Sequence, residues 1–365
     1  MIDNVKVSAH QLMILVFLYS IGTVILHTPS LMVYFAKQDA WIATIIGAGA
    51  GIILTGLYIK VGNLFPSLSL DQLNEKLLGK FIGKTVNTFF FFWALVSASE
   101  IVFYIGNFVA TFWMPETPSY AIHIMFSFIV ILAVRLGIEP IVRLTDILFL
   151  PVTLLLVILI IAIVPKVEWV NIQPVLEVGI RPIIRAALVF VSFFSLSSVM
   201  FLMIYPSLVT ERKKAAKGFL KGTMYAGIIL VVVIGLNILV LGVDLTTRNI
   251  APSYALARKI NIGNFVTRIE AFLALFWIMT VFIRGVVYFY VSVVVFSNIF
   301  EIKDYRHLSS PLGMIMVVLS LILYPNIQAA DTYDKEIWLP FVSIVGLFMP
   351  LLLLVAARIR KRVDR

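Results

Sequence analysis

Cysteine is absent from the 365 residues. That excludes disulfides, thiolate metal sites and cysteine nucleophiles. Histidine is nearly as scarce: His10, His27, His123 and His307 lie far apart and show no metal-ligand spacing. Charge is thin too, with 13% of residues charged against 61% hydrophobic. No nucleophile–base pair and no metal constellation stands out, so the pattern argues against an enzyme, and it calls for no cofactor. No segment has the composition of a flexible linker. The polar start, residues 1–11, precedes an apolar run too long for a cleavable signal core.

What fills the chain is apolar sequence. Ten long stretches, at about 11–36, 41–61, 86–113, 119–136, 144–164, 183–208, 218–243, 265–297, 310–325 and 337–357, reach or approach the ~20 residues that cross a bilayer core. Lipid offers no hydrogen bonds to a bare backbone, so these stretches must be helices. The expected fold is an all-α polytopic membrane protein with ten transmembrane helices. It forms one transmembrane domain over 1–365, with a first half at about 11–164, a second at 183–357 and a short basic tail at 358–365. Residues 69–84 read as an amphipathic surface helix, with Leu70, Leu73, Leu77 and Phe81 on one face, and a second lies near 253–260. Trp41, Trp113, Trp169 and Trp338 fall at span ends, where tryptophan anchors the interface. The run Phe89–Phe92 reads as lipid-facing or packing surface.

The net charge of +10 is distributed as in a membrane protein, not as in a nucleic-acid binder. With a cytoplasmic N-terminus, 19 of the 29 basic residues fall inside and 9 outside, leaving Arg284 within a span. This excess predicts both termini in the cytoplasm, and the basic tail suits anionic lipid of the bilayer.

Spans one and six differ from the others. Span one is interrupted by Ser20-Ile21-Gly22-Thr23 and then meets Pro29. Span six carries Ser192-Phe193-Phe194-Ser195-Leu196-Ser197-Ser198 and then Pro206. Small and hydroxylated residues weaken a helix and proline removes a donor. Paired interruptions five spans apart point to a five-plus-five inverted repeat with helices 1 and 6 broken and a ligand at midplane. Two charges also enter the bilayer, Glu100 in span three and Arg284 in span eight, and such groups mark functional sites. The two are expected either to pair or to act separately. Tyr104 and Asn107 share the face of Glu100, and Tyr288 follows Arg284 by one turn. Gly47-Ala48-Gly49-Ala50-Gly51 follows no strand, so it reads as a helix-packing face, not a nucleotide loop.

The residues Val7-Ser8-Ala9-His10-Gln11-Leu12 followed by Ile21-Gly22-Thr23-Val24-Ile25-Leu26-His27-Thr28-Pro29 resemble a known family. So do Arg143-Leu144-Thr145-Asp146, Gln173-Pro174-Val175-Leu176-Glu177-Val178-Gly179 with Pro182, and Arg268-Ile269-Glu270-Ala271-Phe272 leading to Trp277-Ile278. The family is the B subunit of endospore nutrient germinant receptors, the GerAB-type proteins of the amino acid–polyamine–organocation transporter superfamily. The resemblance spans nearly the whole chain through the order and spacing of these motifs. It implies a LeuT or amino acid permease-like fold and a small-molecule germinant. It also implies a location in the inner membrane of the endospore, and partnership with a receptor A subunit and a lipoprotein C subunit. The ligand positions it carries over are Gly22, Thr23, Val24, Glu100, Tyr104, Ser195, Leu196, Ser197, Ile283 and Arg284. Ser195-Leu196-Ser197-Ser198 in span six and an arginine in span eight depart from the family pattern, so ligand chemistry does not transfer from relatives. A proton-coupled amino acid or small-solute transporter is the alternative function.

Overall fold

A computed structural model describes residues 6–260 and 269–363. The expected start of span eight at 265–268, with the Arg268 of the motif, lies outside these residues, as does Arg365. Among them the fold is helical, with no strand and one isolated bridge, Val7 to Val209. Span one is split into α1 (Ala9–Ile21) and α2 (Val24–Ala36). Span two is α3 (Ala40–Gly62), followed by the amphipathic α4 (Leu70–Leu78). Spans three to five are α5 (Lys80–Phe112), α6 (Ser119–Leu136) and α7 (Ile138–Ile163). Span six is α8 (Ile180–Phe194) and a 3-10 segment, Leu196–Met203. Then come α9 (Arg212–Arg248), the short α10 (Pro252–Ala257), α11 (Ile269–Ile299) as span eight, α12 (Ser309–Ile322) as span nine and α13 (Ile327–Glu336). Span ten is α14 (Trp338–Ser343), a π-helical turn at Ile344–Phe348 and α15 (Met349–Val363).

Nine helical stretches among the described residues are long and apolar enough to cross a membrane. One of them, Val24–Gly62, turns at Lys37, whose φ of 47° breaks the helix. Its first part joins the shorter apolar helix Ala9–Ile21, which gives the ten crossings. Burial ranks them. The most apolar window of span six is 94% enclosed and those of spans three and eight 78%, against 22% for span five. The centre is therefore built from the broken helices with spans three and eight, while span five faces lipid.

Local chemistry explains how the breaks are tolerated. Ser8 and Gln11 form a reciprocal capping box at the start of α1, of the kind that contributes about 1 kcal/mol. Pro29 has no N–H to give the carbonyl of Ile25, one turn earlier. Ser253 of α10 supplies the donor instead, its Oγ lying 2.6 Å from Ile25 O. This is why the helical part of the segment near 253–260, expected on the surface, is largely buried, with Arg258 and Lys259 exposed beyond its end: its serine completes span one. Gly242, at φ 72°, kinks α9. The carbonyls released there are taken by Thr246 Oγ1 on Asn237 O, and by the Glu168 amide on Leu239 O. Gly47 and Gly51 let α3 close onto α8: a Cβ at either would lie 2.7 Å from Phe190 or Phe194.

Other expectations are corrected. The amphipathic helix stops at Leu78, because Gly79 adopts φ 85° and a new helix begins at Lys80. Leu70, Leu73 and Leu77 are buried, but Phe81 belongs to α5 and is 87% exposed. The phenylalanine run, by contrast, meets both of its readings by helical phase: Phe90 and Phe91 are buried packing surface, and Phe89 and Phe92 are exposed. Trp169 is exposed, but Trp338 is enclosed and stacks on Phe193 at 5.4 Å.

Candidate ligand-binding site

Arg284 of α11 lies where the two breaks meet. Its Nη2 donates to Phe193 O at 2.7 Å and to Ser197 Oγ at 3.0 Å. Longer contacts of 3.5 Å run from Nη1 to Tyr19 O and from Nη2 to Tyr288 Oη. Tyr19 and Phe193 stand in the last turns of α1 and α8, where helix carbonyls lack partners and carry partial negative charge. The guanidinium also sits 4.9 Å from the centre of the Tyr19 ring, a distance at which the ring face attracts a cation. Its Nε has no hydrogen-bond partner among the described residues.

Gly22 is required by this arrangement. A Cβ there would lie 2.9 Å from both Arg284 Cδ and Tyr19 O. The glycine makes room for the arginine, whereas the family resemblance gave Gly22 as a ligand position. The opened carbonyls of span six are likewise engaged. Tyr19 Oη donates to Ser197 O at 2.9 Å. Tyr58 Oη of α3 reaches Gly346 O in the π-turn at 2.7 Å and Leu196 O and Ser195 O at 3.2 and 3.3 Å.

Next to Arg284 is a cavity with about 770 Å³ of space between atoms, part of it continuous with solvent. Thr23, Glu100, Tyr104 and Arg284 line it, as do Asn107 and Tyr288. Gly22, Val24, Ser195, Leu196, Ser197 and Ile283 do not; they form the packed layer behind it. Ser195 Oγ turns back to Val191 O at 3.4 Å. The walls are largely apolar, with Ile101, Phe108, Phe112, Phe193, Trp277 and Trp338.

Glu100 and Arg284 do not pair. Glu100 Oε1 accepts from Tyr324 Oη at 2.7 Å, and no carboxylate among the described residues lies within ion-pair distance of Arg284. A second acid faces the cavity. Asp334 of α13, 3% exposed, accepts from Tyr104 Oη at 2.6 Å and from His27 Nε2 at 2.8 Å. Sequence reading missed Asp334, His27, Tyr324 and Trp338. Asp334 stands in Asp331-Thr332-Tyr333-Asp334-Lys335-Glu336, which has the composition of a solvated loop. The available signal was His27, a polar ring inside an otherwise apolar span.

This arrangement can hold a small polar molecule with an apolar part: a positive pole at Arg284, acids at Glu100 and Asp334, and aromatic walls between. The cavity runs from the middle of span one, at Thr23 to Thr28, to the end of span three at Thr111 and Phe112, and is bordered by Ile250 and Ala251 just before α10 and by Ile327 and Asp334 of α13.

Residues 6–328 match the family of spore permeases described as "Spore germination protein", and the chain belongs to that family. Among its relatives in Bacillus subtilis (strain 168), spore germination protein KB is 27% identical over 355 residues, covering 95% of this chain and 94% of its own. The putative spore germination protein YfkT of the same organism is 25% identical, covering 95% of each. Among solved structures, a nucleobase-cation-symport-1 family transporter, in a closed conformation with bromovinylhydantoin bound, matches with a TM-score of 0.68 at 12% identity. That match covers 94% of this chain and 78% of the transporter. A manganese transporter of Eremococcus coleocola matches at 0.56 and 13% identity, over 96% and 78%. At such identities these two show the fold alone: the LeuT type, with its inverted repeat.

Proposed function

We propose that this chain is the nutrient-sensing B subunit of a germinant receptor in the inner membrane of the endospore. It binds a small germinant in the cavity between the two helix breaks and α13, and passes a conformational change to a receptor A subunit and a lipoprotein C subunit. The observation that carries this reading is the placement of buried Arg284, Glu100 and Asp334 around one apolar-walled space in a spore germination family member. Opposite poles around one cavity suit a zwitterion such as an amino acid, with its carboxylate toward Arg284 and its ammonium toward the acids. Ligand chemistry enters only through a difference in affinity between two conformations, which is what a sensor requires. The excess of basic residues on one side supports cytoplasmic termini.

The test is ligand-induced thermal stabilisation of the purified chain against a panel of L-amino acids and sugars, repeated on Thr23→Leu, which fills the cavity edge. A stabilising ligand should emerge, and T23L should abolish its effect. If no compound stabilises the parent, or T23L responds as the parent does, the cavity is not the site. The shared transporter fold and the two buried carboxylates favour a second reading, proton-coupled solute uptake through Glu100. Concentrative uptake in proteoliposomes, lost in Glu100→Gln, would support it over sensing alone.

A further inference from the structure

The position of Arg284 has a meaning separate from any ligand. Where two helices are unwound side by side in a membrane, their last carbonyls converge and need positive charge. A free cation is one way to supply it. In this chain the converging groups, Tyr19 O, Phe193 O, Ser197 Oγ and the ring of Tyr19, are all engaged by one guanidinium. That group is 1% exposed and reaches the breaks across the bare backbone of Gly22. An inorganic cation does not fit there as well. It would have to share Phe193 O and Ser197 Oγ with a like charge already in hydrogen-bonding contact with both.

We propose that Arg284 is a permanent, covalently attached cation that holds the breaks of spans one and six together, so that this chain forms its site without a free inorganic cation. The guanidinium has no carboxylate partner within ion-pair distance among the described residues, so its charge is balanced by carbonyl dipoles and aromatic faces. Its role is positioning: it fixes the floor of the cavity whatever molecule lies above it.

The test uses the full-length chain in detergent and reads thermal unfolding, which requires no germinant and so stands or falls apart from the sensing proposal. Replacing sodium chloride by choline chloride should leave the parent Tm unchanged. Arg284→Met should lower Tm by several degrees, and Arg284→Lys, which keeps a charge on a shorter reach, should lower it less. Arg284→Ala should recover part of its loss in millimolar ethylguanidinium and none in tetramethylammonium. A parent Tm that falls when sodium is withdrawn overturns the proposal, and this measurement needs no variant to fold. Equal losses in the Met and Lys variants, or no selectivity for ethylguanidinium, overturn it as well.

Discussion

Ser253→Ala offers a quantitative test of how the break in span one is completed. Ile25 O is one turn before Pro29, so its helical donor is missing, and Ser253 Oγ at 2.6 Å replaces it. Ser253 is 2% exposed, so water cannot readily take its place. The same hydroxyl accepts from Asn237 Nδ2 at 3.0 Å, but that amide keeps a second acceptor in Val233 O at 2.9 Å. The main loss is therefore one unsatisfied carbonyl. Unsatisfied groups of this kind cost about 1–3 kcal/mol in proteins, and hydrogen bonds in membranes fall toward the lower end. We expect S253A to destabilise by about 1–2 kcal/mol, or a few degrees in apparent Tm at a fixed scan rate. The decisive arm is Pro29→Ala, which returns an N–H to the helix. In that background S253A should lose at least about half of its effect, a coupling of roughly 0.5–1 kcal/mol. The same drop in Tm with and without Pro29 would refute the reasoning.

Four further outcomes follow, three from the site and one from α4. Asp334→Ala should release α13 from His27 and Tyr104, so a cysteine at Asn107, in a chain with no native cysteine, should react several-fold faster with a water-soluble maleimide; an unchanged rate would show that α13 does not limit access. Glu100→Gln and Arg284→Met should combine nearly additively in stability, within about 0.5 kcal/mol, because their hydrogen-bond partners are separate; a double variant more stable than either single one would reveal an ion pair. Ser195→Val should leave the nutrient dose–response of spores close to the parent's, since its hydroxyl faces Val191 O; a tenfold shift in effective concentration would put Ser195 in the site. On α4, outside the spans, burial pushes the Asp71 carboxyl above its ordinary value of 3.8. The folded chain then keeps a proton there that the unfolded chain releases, so this group's contribution to stability falls as pH rises through the window above 3.8. Asp71→Asn should remove that part of the pH slope of Tm, and an unaltered slope would assign it to other groups.

Sequence made the spans legible because lipid enforces length and apolarity on each of them, and the breaks because Gly22 and the serines of span six violate that rule. It also identified Glu100, Tyr104, Thr23 and Arg284 as cavity residues through their polarity or their place at a break. What it could not give was partnership. Glu100 and Arg284 are both ionisable and both buried, yet one is held by a tyrosine after span nine and the other mainly by backbone carbonyls and Ser197, and carbonyls leave no trace in composition. Asp334 was hidden for the opposite reason. Polar neighbours made it look solvated, and only the folding of α13 against spans one and three buries it. Ser195 and Leu196 were drawn in by analogy with unwound helices, whose carbonyls here are held by Tyr58 from a neighbouring span.

The fit between Gly22 and Arg284 has a consequence for descent. A lineage that shortened residue 284 while keeping the glycine would inherit a polar void at the heart of the molecule. A lineage that acquired a side chain at 22 would have to give up the arginine. Each change alone is a step downward, so the two positions are expected to vary together among related sequences, as a single inherited unit drawn from opposite halves of the chain.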